Sequence, residues 1–168
     1  MTTDHDSSND AVSRQATIAG VVVVELLKAL QRVRVQPAPL CRAVGLDVTS
    51  LEDPNARVST GLVTRLLELA EDRARDPWIG LHAGEHVEPS SPLFYLVQSS
   101  PRVGEGLRQA QRYSGSLIDT LRLTVRTDRA LVSVAFDPDD AVFSASRHAM
   151  EYLLMGSVSA MRHAVGAY

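Results

Sequence analysis

The feature that most constrains the fold is a pair of alternating segments near the C-terminal end of the sequence. Apolar and polar residues alternate in "LRLTVR" and, after the polar "TDRA", alternate again in "LVSVAF". This period of two predicts an antiparallel β-hairpin with one buried face, which needs helices packed over it. The residues predicted on that face are Leu121, Leu123, Val125, Val132, Val134 and Phe136.

Most of the remaining sequence predicts helices separated by Pro, Gly and Ser residues. We expect a first helix over residues 18–33, because its polar residues Glu25, Lys28 and Gln31 are spaced three apart on one face. Residues 46–58 are predicted to form a loop or broken turns. Further helices are predicted at 37–44, at 61–75 with Thr60 as N-cap, and at 78–87, 93–98, 101–114 and 144–165. The sequence therefore predicts an α+β fold, a mostly helical domain with an antiparallel β-hairpin or small sheet packed against helices.

Composition limits the classes of protein that this chain can represent. Its 168 residues, 45% of them hydrophobic, suit one globular domain, and we expect a disordered tail over 1–16 followed by a domain over 17–168. The net charge of -3 gives no basic field for nucleic acid. Cys41 is the single cysteine, and no signal peptide or apolar run of about 20 residues is present. We therefore expect a cytoplasmic protein that makes no membrane contact.

The motif "HAGEH" at residues 82–86 fits the H-x-x-E-H pattern of inverted zinc proteases. On a helix, His82 and His86 would share one face and hold a zinc ion, with Glu85 as the general base. Gly84 weakens that helix, and no later motif supplies a third protein ligand. We therefore expect no metal, no cofactor and no catalytic residue, and we keep a zinc-dependent hydrolase as an alternative.

Aromatic and polar groups beside apolar stripes suggest a ligand pocket under the hairpin. Helical spacing puts His148 and Tyr152 one turn apart, so that both are expected to point into the same space. Each of these groups is also consistent with a core side chain whose polar tip bonds to the protein. The candidate ligand-binding residues are Phe94, Tyr95, Tyr113, Phe136, His148 and Tyr152. A pocket of this composition suits a hydrophobic or amphipathic molecule better than a sugar.

Three stretches, taken in order, resemble the N-terminal effector-binding domain of AraC/XylS-family transcription regulators, the type called arabinose-binding. They are "LEDPNARV", "DPWIGLHAG" and "SSPRVGEGLRQAQRY", and the resemblance extends over roughly residues 18–165. It implies a bacterial domain that binds a small-molecule effector, forms a homodimer and controls an attached DNA-binding domain. Because ligands differ widely among family members, the resemblance does not imply arabinose.

Regulators of this family carry a C-terminal pair of helix-turn-helix motifs, whereas the sequence stops at Tyr168. We therefore expect a truncated protein that would contact DNA only through the missing C-terminal domain, and a stand-alone sensor is the alternative. The dimer interface is expected on an exposed apolar face of the first helix, at the valine run 21–24, or of the last helix. A pure dimerisation module without a ligand is the second alternative.

Overall fold

The computed structural model describes residues 15–129 and 131–166. Most of the predicted tail, residues 1–14, lies outside the described residues, as does residue 130 of the hairpin turn. The elements in chain order are β1 (Thr17–Ala19), α1 (Gly20–Arg32), α2 (Pro37–Val44), β2 (Arg57–Ser59), α3 (Thr60–Ala74), α4 (Ile79–Glu85), α5 (Pro92–Gln98), α6 (Val103–Tyr113), β3 (Leu121–Asp128), β4 (Leu131–Pro138), α7 (Ala141–Ala145) and α8 (Arg147–Val165). The predicted α+β fold, mostly helical with small antiparallel sheets, is confirmed.

The predicted hairpin is present as β3 and β4, paired in register from Leu121 opposite Pro138 to Asp128 opposite Leu131. Its buried face is shorter than the alternation predicts. Leu121 and Leu123 are buried and Val125, Val134 and Phe136 are half-buried, whereas Val132 is 53% exposed. The prediction is wrong at Val132 because the end of the hairpin near its turn is exposed on both strands.

The first predicted helix starts too early, because Thr17–Ala19 forms strand β1 rather than helix. This strand pairs antiparallel with β2, which begins at the end of the segment predicted as a loop and extends one residue beyond it. The same segment also contains a 3-10 turn over Val48–Glu52. Two three-residue strands separated by about forty positions carry no local periodic signal, so the sequence pattern could not indicate their pairing.

Arg57 ties the β1–β2 pair to the turn that precedes the hairpin. Its guanidinium donates to the hydroxyl oxygen of Thr17 at 2.9 Å and to the carbonyl oxygen of Ser116 at 2.7 Å. The carboxylate of Asp119 in that turn accepts hydrogen bonds from the Thr17 N–H at 2.9 Å and from the Thr17 hydroxyl at 2.8 Å. These contacts fix the entry of β3 against the N-terminal strand.

Two predicted helix boundaries are also corrected. The N-cap of α3 is Ser59 rather than Thr60, and the buried Thr60 hydroxyl instead donates to the carbonyl oxygen of Ala16. The predicted helix over 144–165 is two helices, α7 and α8, which are separated at Ser146. The Ser146 hydroxyl accepts a hydrogen bond from the Ala149 N–H, so this residue caps α8 and ends the preceding segment.

Helix α8 lies at the centre of the packing and contacts α3, α4, α5 and α7. Its contact with α4 is the most extensive, and across this contact the Ser159 hydroxyl donates to the carbonyl oxygen of Gly84 at 2.9 Å. The main core lies between α1, α3 and α4, where the largest fully buried side chains include Leu26, Leu30, Leu66, Leu67 and Ile79. Among the helices in the described part of the chain, none is both long and apolar enough to span a membrane.

Candidate ligand-binding cavity

A cavity of about 210 Å³ lies between the inner face of the hairpin and helices α1, α5, α6 and α8. Its wall includes Leu121, Leu123, Val134 and Phe136 of the hairpin, Val22, Val23, Glu25 and Leu26 of α1, Leu93, Phe94 and Val97 of α5, Leu107 and Ala110 of α6, and Ala149, Tyr152, Leu153, Gly156, Ser157, Ala160 and Met161 of α8. Most of these groups are hydrocarbon. The wall can therefore bind a ligand mainly by removing apolar surface from water.

Three of the six predicted site residues line this cavity, namely Phe94, Phe136 and Tyr152. Tyr95 lies beside Phe94 with its ring edge-on at 5.6 Å, but it is 56% exposed and lies outside the lining. Tyr113 is 41% exposed and stacks under the guanidinium of Arg112. The structure thus brings together only half of the predicted set.

His148 is buried, but its ring faces α3 rather than the cavity. Its Nε2 lies 2.7 Å from a carboxylate oxygen of Glu71, and its Nδ1 lies 3.6 Å from a carboxylate oxygen of Glu151. The expectation that His148 and Tyr152 point into the same space is therefore wrong. Side chains four positions apart on a helix point about 40° apart. Here that difference is enough for His148 to contact Glu71 while Tyr152 lines the cavity.

Tyr152 supplies the cavity with a phenol that is 8% exposed. Within residues 15–129 and 131–166, the structure gives its hydroxyl no hydrogen-bond partner. Burial raises the pKa of Tyr152, and the negative charge of Glu25 raises it further. The phenol therefore keeps its proton at neutral pH and remains available to a ligand as a donor or an acceptor.

Glu25 lines the cavity, and the sequence pattern did not select it as a site residue. It is 7% exposed, whereas the pattern grouped it with Lys28 and Gln31 on one polar face of the helix. Each step of three residues leaves a helical side chain about 60° short of a full turn, so Glu25 and Gln31 point about 120° apart. The signal that could have identified Glu25 is its position inside "VVVVELL", where a carboxylate has apolar residues on both sides.

The segment before α5 holds the carboxylate of Glu25 in place. Oε1 of Glu25 accepts one hydrogen bond from the backbone N–H of Ser90 and another from the Ser90 hydroxyl, the latter at 3.0 Å. Burial raises the pKa of Glu25. The effect is partly offset by these two bonds, by the backbone of Ser91 and by the charge of Lys28, each of which lowers the pKa. Of the lining residues in the described part of the chain, Glu25 alone has a charged side chain.

The alternative zinc site at residues 82–86 is not assembled in this geometry. His82 Nδ1 lies 2.7 Å from Asp76 Oδ2, and α4 ends at Glu85, so His86 follows the helix and is exposed. Among the described residues, no three or more His, Cys, Asp or Glu side chains form a group that could hold a metal ion. Cys41 is buried, and burial raises the pKa of its thiol.

A mostly apolar cavity with a few polar groups has the composition of a small-molecule binding site. The chain belongs to the family described as the arabinose-binding domain of AraC transcription regulators, N-terminal, whose model matches residues 35–168. The family resemblance predicted from the sequence is thereby confirmed. No curated protein matches the chain in a sequence comparison.

Proposed function

We propose that residues 17–168 form the effector-binding and dimerisation domain of a cytoplasmic bacterial AraC-type regulator, which controls an attached DNA-binding domain. The observation that carries this proposal is the apolar cavity under the hairpin, and membership of a regulator family supports it. The effector is small, because about 210 Å³ is less than the roughly 300 to 1,000 Å³ of sites for drug-sized ligands. It is mainly apolar, because most of the wall is hydrocarbon.

Helix α8 is the element through which ligand binding would reach the rest of a regulator. One side of α8 lines the cavity through Tyr152 and Ala160, while Leu154 and Val158 on the other side are exposed. A ligand that favours one position of α8 over another would change the surface that α8 presents to its partners. The ligand can shift this equilibrium only by the difference between its affinities for the two arrangements.

We place the homodimer interface on α8 rather than α1. Exposed apolar residues follow one another along α8 at intervals of four, three and four positions. This spacing forms an apolar stripe along one side of the helix, as in helices that pack against a second helix. These exposed residues are Leu154, Val158, Met161 and Val165, of which Met161 is half-way between the two sides and also borders the cavity. The valine run of α1 is buried or half-buried against the core, so it offers little free apolar surface.

The test fills the cavity from α8 and leaves the rest of the protein unchanged. Ala160→Phe places a ring in the cavity, whereas Ala74→Phe adds the same ring at the exposed end of α3 and serves as the matched control. Small fragments are screened by thermal shift against the wild type and both variants, and hits are measured by calorimetry. We expect hits that bind the wild type and Ala74→Phe and lose at least tenfold in affinity for Ala160→Phe.

Two results would contradict the proposed function. In one, the hits bind Ala160→Phe and the wild type equally, which places their site elsewhere on the protein. In the other, a broad set of small apolar and amphipathic fragments yields no hit at all, which favours the alternative of a dimerisation module without a ligand.

A further inference from the structure

We propose that the effector carries an ammonium group on a small apolar body, with the Glu25 carboxylate as its counter-ion and the Tyr152 hydroxyl as its second polar contact. This inference rests on the proposed ligand-binding function and specifies the chemistry of the ligand. Nothing in the family description assigns a role to either residue.

The first argument concerns the charge of Glu25. The N–H and hydroxyl of Ser90 donate to one oxygen of this group, which favours the ionised form, whereas burial favours the neutral form and raises the pKa of Glu25. A buried carboxylate is costly unless a cation pairs with it. Lys28 on the same helix is exposed and lies outside the cavity wall. A cation bound in the cavity would favour the ionised form of Glu25 and supply a counter-ion that the described lining residues do not provide.

The second argument concerns the free hydroxyl of Tyr152. Tyr152 and Glu25 line the same cavity, and the charge of Glu25 acts on the phenol, so both polar groups lie within electrostatic reach of each other. An ammonium group carries three N–H donors, enough for both the Glu25 carboxylate and the Tyr152 hydroxyl. An alcohol satisfies the hydrogen bonds without neutralising the charge, and a carboxylate ligand repels Glu25. Among these head groups, only the ammonium matches both residues.

The third argument concerns the rest of the wall. Phe94 of α5 and Phe136 of β4 lie in the cavity lining with aliphatic side chains from α1, α6 and α8. Apart from Glu25 and Tyr152, the polar side chains of the lining are serines such as Ser114, whose hydroxyl already donates to the Leu121 carbonyl oxygen at 3.2 Å. The body of the ligand is therefore expected to be aliphatic or aromatic.

The test compares three probes with the same six-carbon chain, hexylamine, 1-hexanol and hexanoate, by calorimetry on the 168-residue protein. We expect hexylamine to bind at least tenfold more tightly than 1-hexanol, and hexanoate to bind most weakly. Glu25→Gln keeps an oxygen that can accept from Ser90 and should bring hexylamine down to the affinity of 1-hexanol. Glu52→Gln removes the same charge from an exposed 3-10 turn and should leave the preference unchanged.

Tyr152→Phe is the second variant, since it removes one hydroxyl and keeps the ring. It should weaken hexylamine binding by about 2- to 10-fold, and circular dichroism verifies that each variant is folded. The inference is overturned if 1-hexanol or hexanoate equals hexylamine, if folded Glu25→Gln keeps the preference, or if Tyr152→Phe binds hexylamine as the wild type does.

Separate outcomes distinguish this inference from the proposed function. Binding of other fragments in the cavity, without binding of hexylamine, overturns the ammonium assignment and leaves the effector-binding domain in place. Failure of every fragment and every hexyl probe contradicts both.

Discussion

The backbone of Gly80 in α4 lies directly against the backbone of His148 in α8. A Cβ built on Gly80 would lie 2.3 Å from the His148 carbonyl oxygen and 2.7 Å from its Cα. One turn later, a Cβ on Gly84 would lie 2.7 Å from the Cβ of Met155. The two helices approach this closely only because both positions lack a side chain.

We predict that Gly80→Ala lowers the free energy of unfolding by roughly 2 to 4 kcal/mol, because backbone atoms of α8 must move to admit the methyl group. Gly104→Ala in α6 is the matched control, since its nearest neighbour would be the end of the Arg108 side chain at 3.9 Å. That control should be neutral or stabilised by up to about 1 kcal/mol. Urea unfolding measures both, and equal losses would contradict the backbone contact.

The ion pair of His82 and Asp76 predicts a dependence of stability on pH. The hydrogen bond with Asp76 raises the pKa of His82 above its ordinary value of 6.5. The contribution of protonated His82 is therefore present below that value and is lost as the pH rises through the raised one. Although burial opposes the change, the hydrogen bond with His82 lowers the pKa of Asp76, so the pair also weakens in strong acid.

His82→Gln should therefore cost more stability near pH 5.5 than near pH 9. The difference should stay below about 1 kcal/mol, because the His82 side chain is 44% exposed. His86→Gln, at an exposed position beyond the end of α4, is the control and should show no such difference. A cost of His82→Gln that is the same at both pH values would mean that the pair contributes nothing.

Removing the polar groups of Tyr152 and His148, the two site residues predicted on α8, should change the free energy of unfolding by different amounts. Tyr152→Phe should change the free energy of unfolding by less than about 0.5 kcal/mol without a ligand, because its hydroxyl lacks a bond within the described residues. His148→Leu should lower it by about 1 to 2 kcal/mol, because Glu71 loses its partner at 2.7 Å. Urea unfolding of both variants measures the contrast, and the reverse order would contradict the assignment of His148 to structure.

The stripe on α8 predicts a homodimer that one charge can disrupt. Val158→Asp places a carboxylate in the middle of the stripe and should weaken self-association at least tenfold in sedimentation equilibrium. Val103→Asp adds the same charge at the exposed start of α6 and should leave the dimer unchanged. A wild type that remains monomeric at tens of micromolar would contradict the interface.

Local patterns in the sequence predicted the elements that depend on neighbouring residues. The alternation at Leu121 and Leu123 indicated the hairpin, and Ser91 followed by Pro92 indicated the start of α5, where the Ser91 hydroxyl accepts from the Phe94 N–H. The pairing of β1 with β2 depends on residues about forty positions apart, so no local pattern contains it. The same is true of the contact of Arg57 with Ser116.

The candidate site was predicted in part, for a reason that lies in helix geometry. Aromatic residues near apolar stripes were good candidates, and Phe94 and Tyr152 do line the cavity. Neighbouring positions on a helix point about 100° apart, so Phe94 and Tyr95 cannot both face the same wall. Glu25 was missed because the burial of a carboxylate depends on which surface packs over α1, and Ser90 supplies its hydrogen bonds from 65 positions away.

Glu25 lies in α1, ahead of residue 35, where the family match begins. The matched residues supply the hairpin, α5, α6 and α8, while the acidic group comes from a helix outside the matched range. Two proteins can therefore share the whole matched region and differ in the sign of the charge inside the cavity. If Glu25 selects the ligand as proposed, the scaffold and the chemical selectivity can diverge separately, and a new effector class requires changes in one helix rather than a new domain.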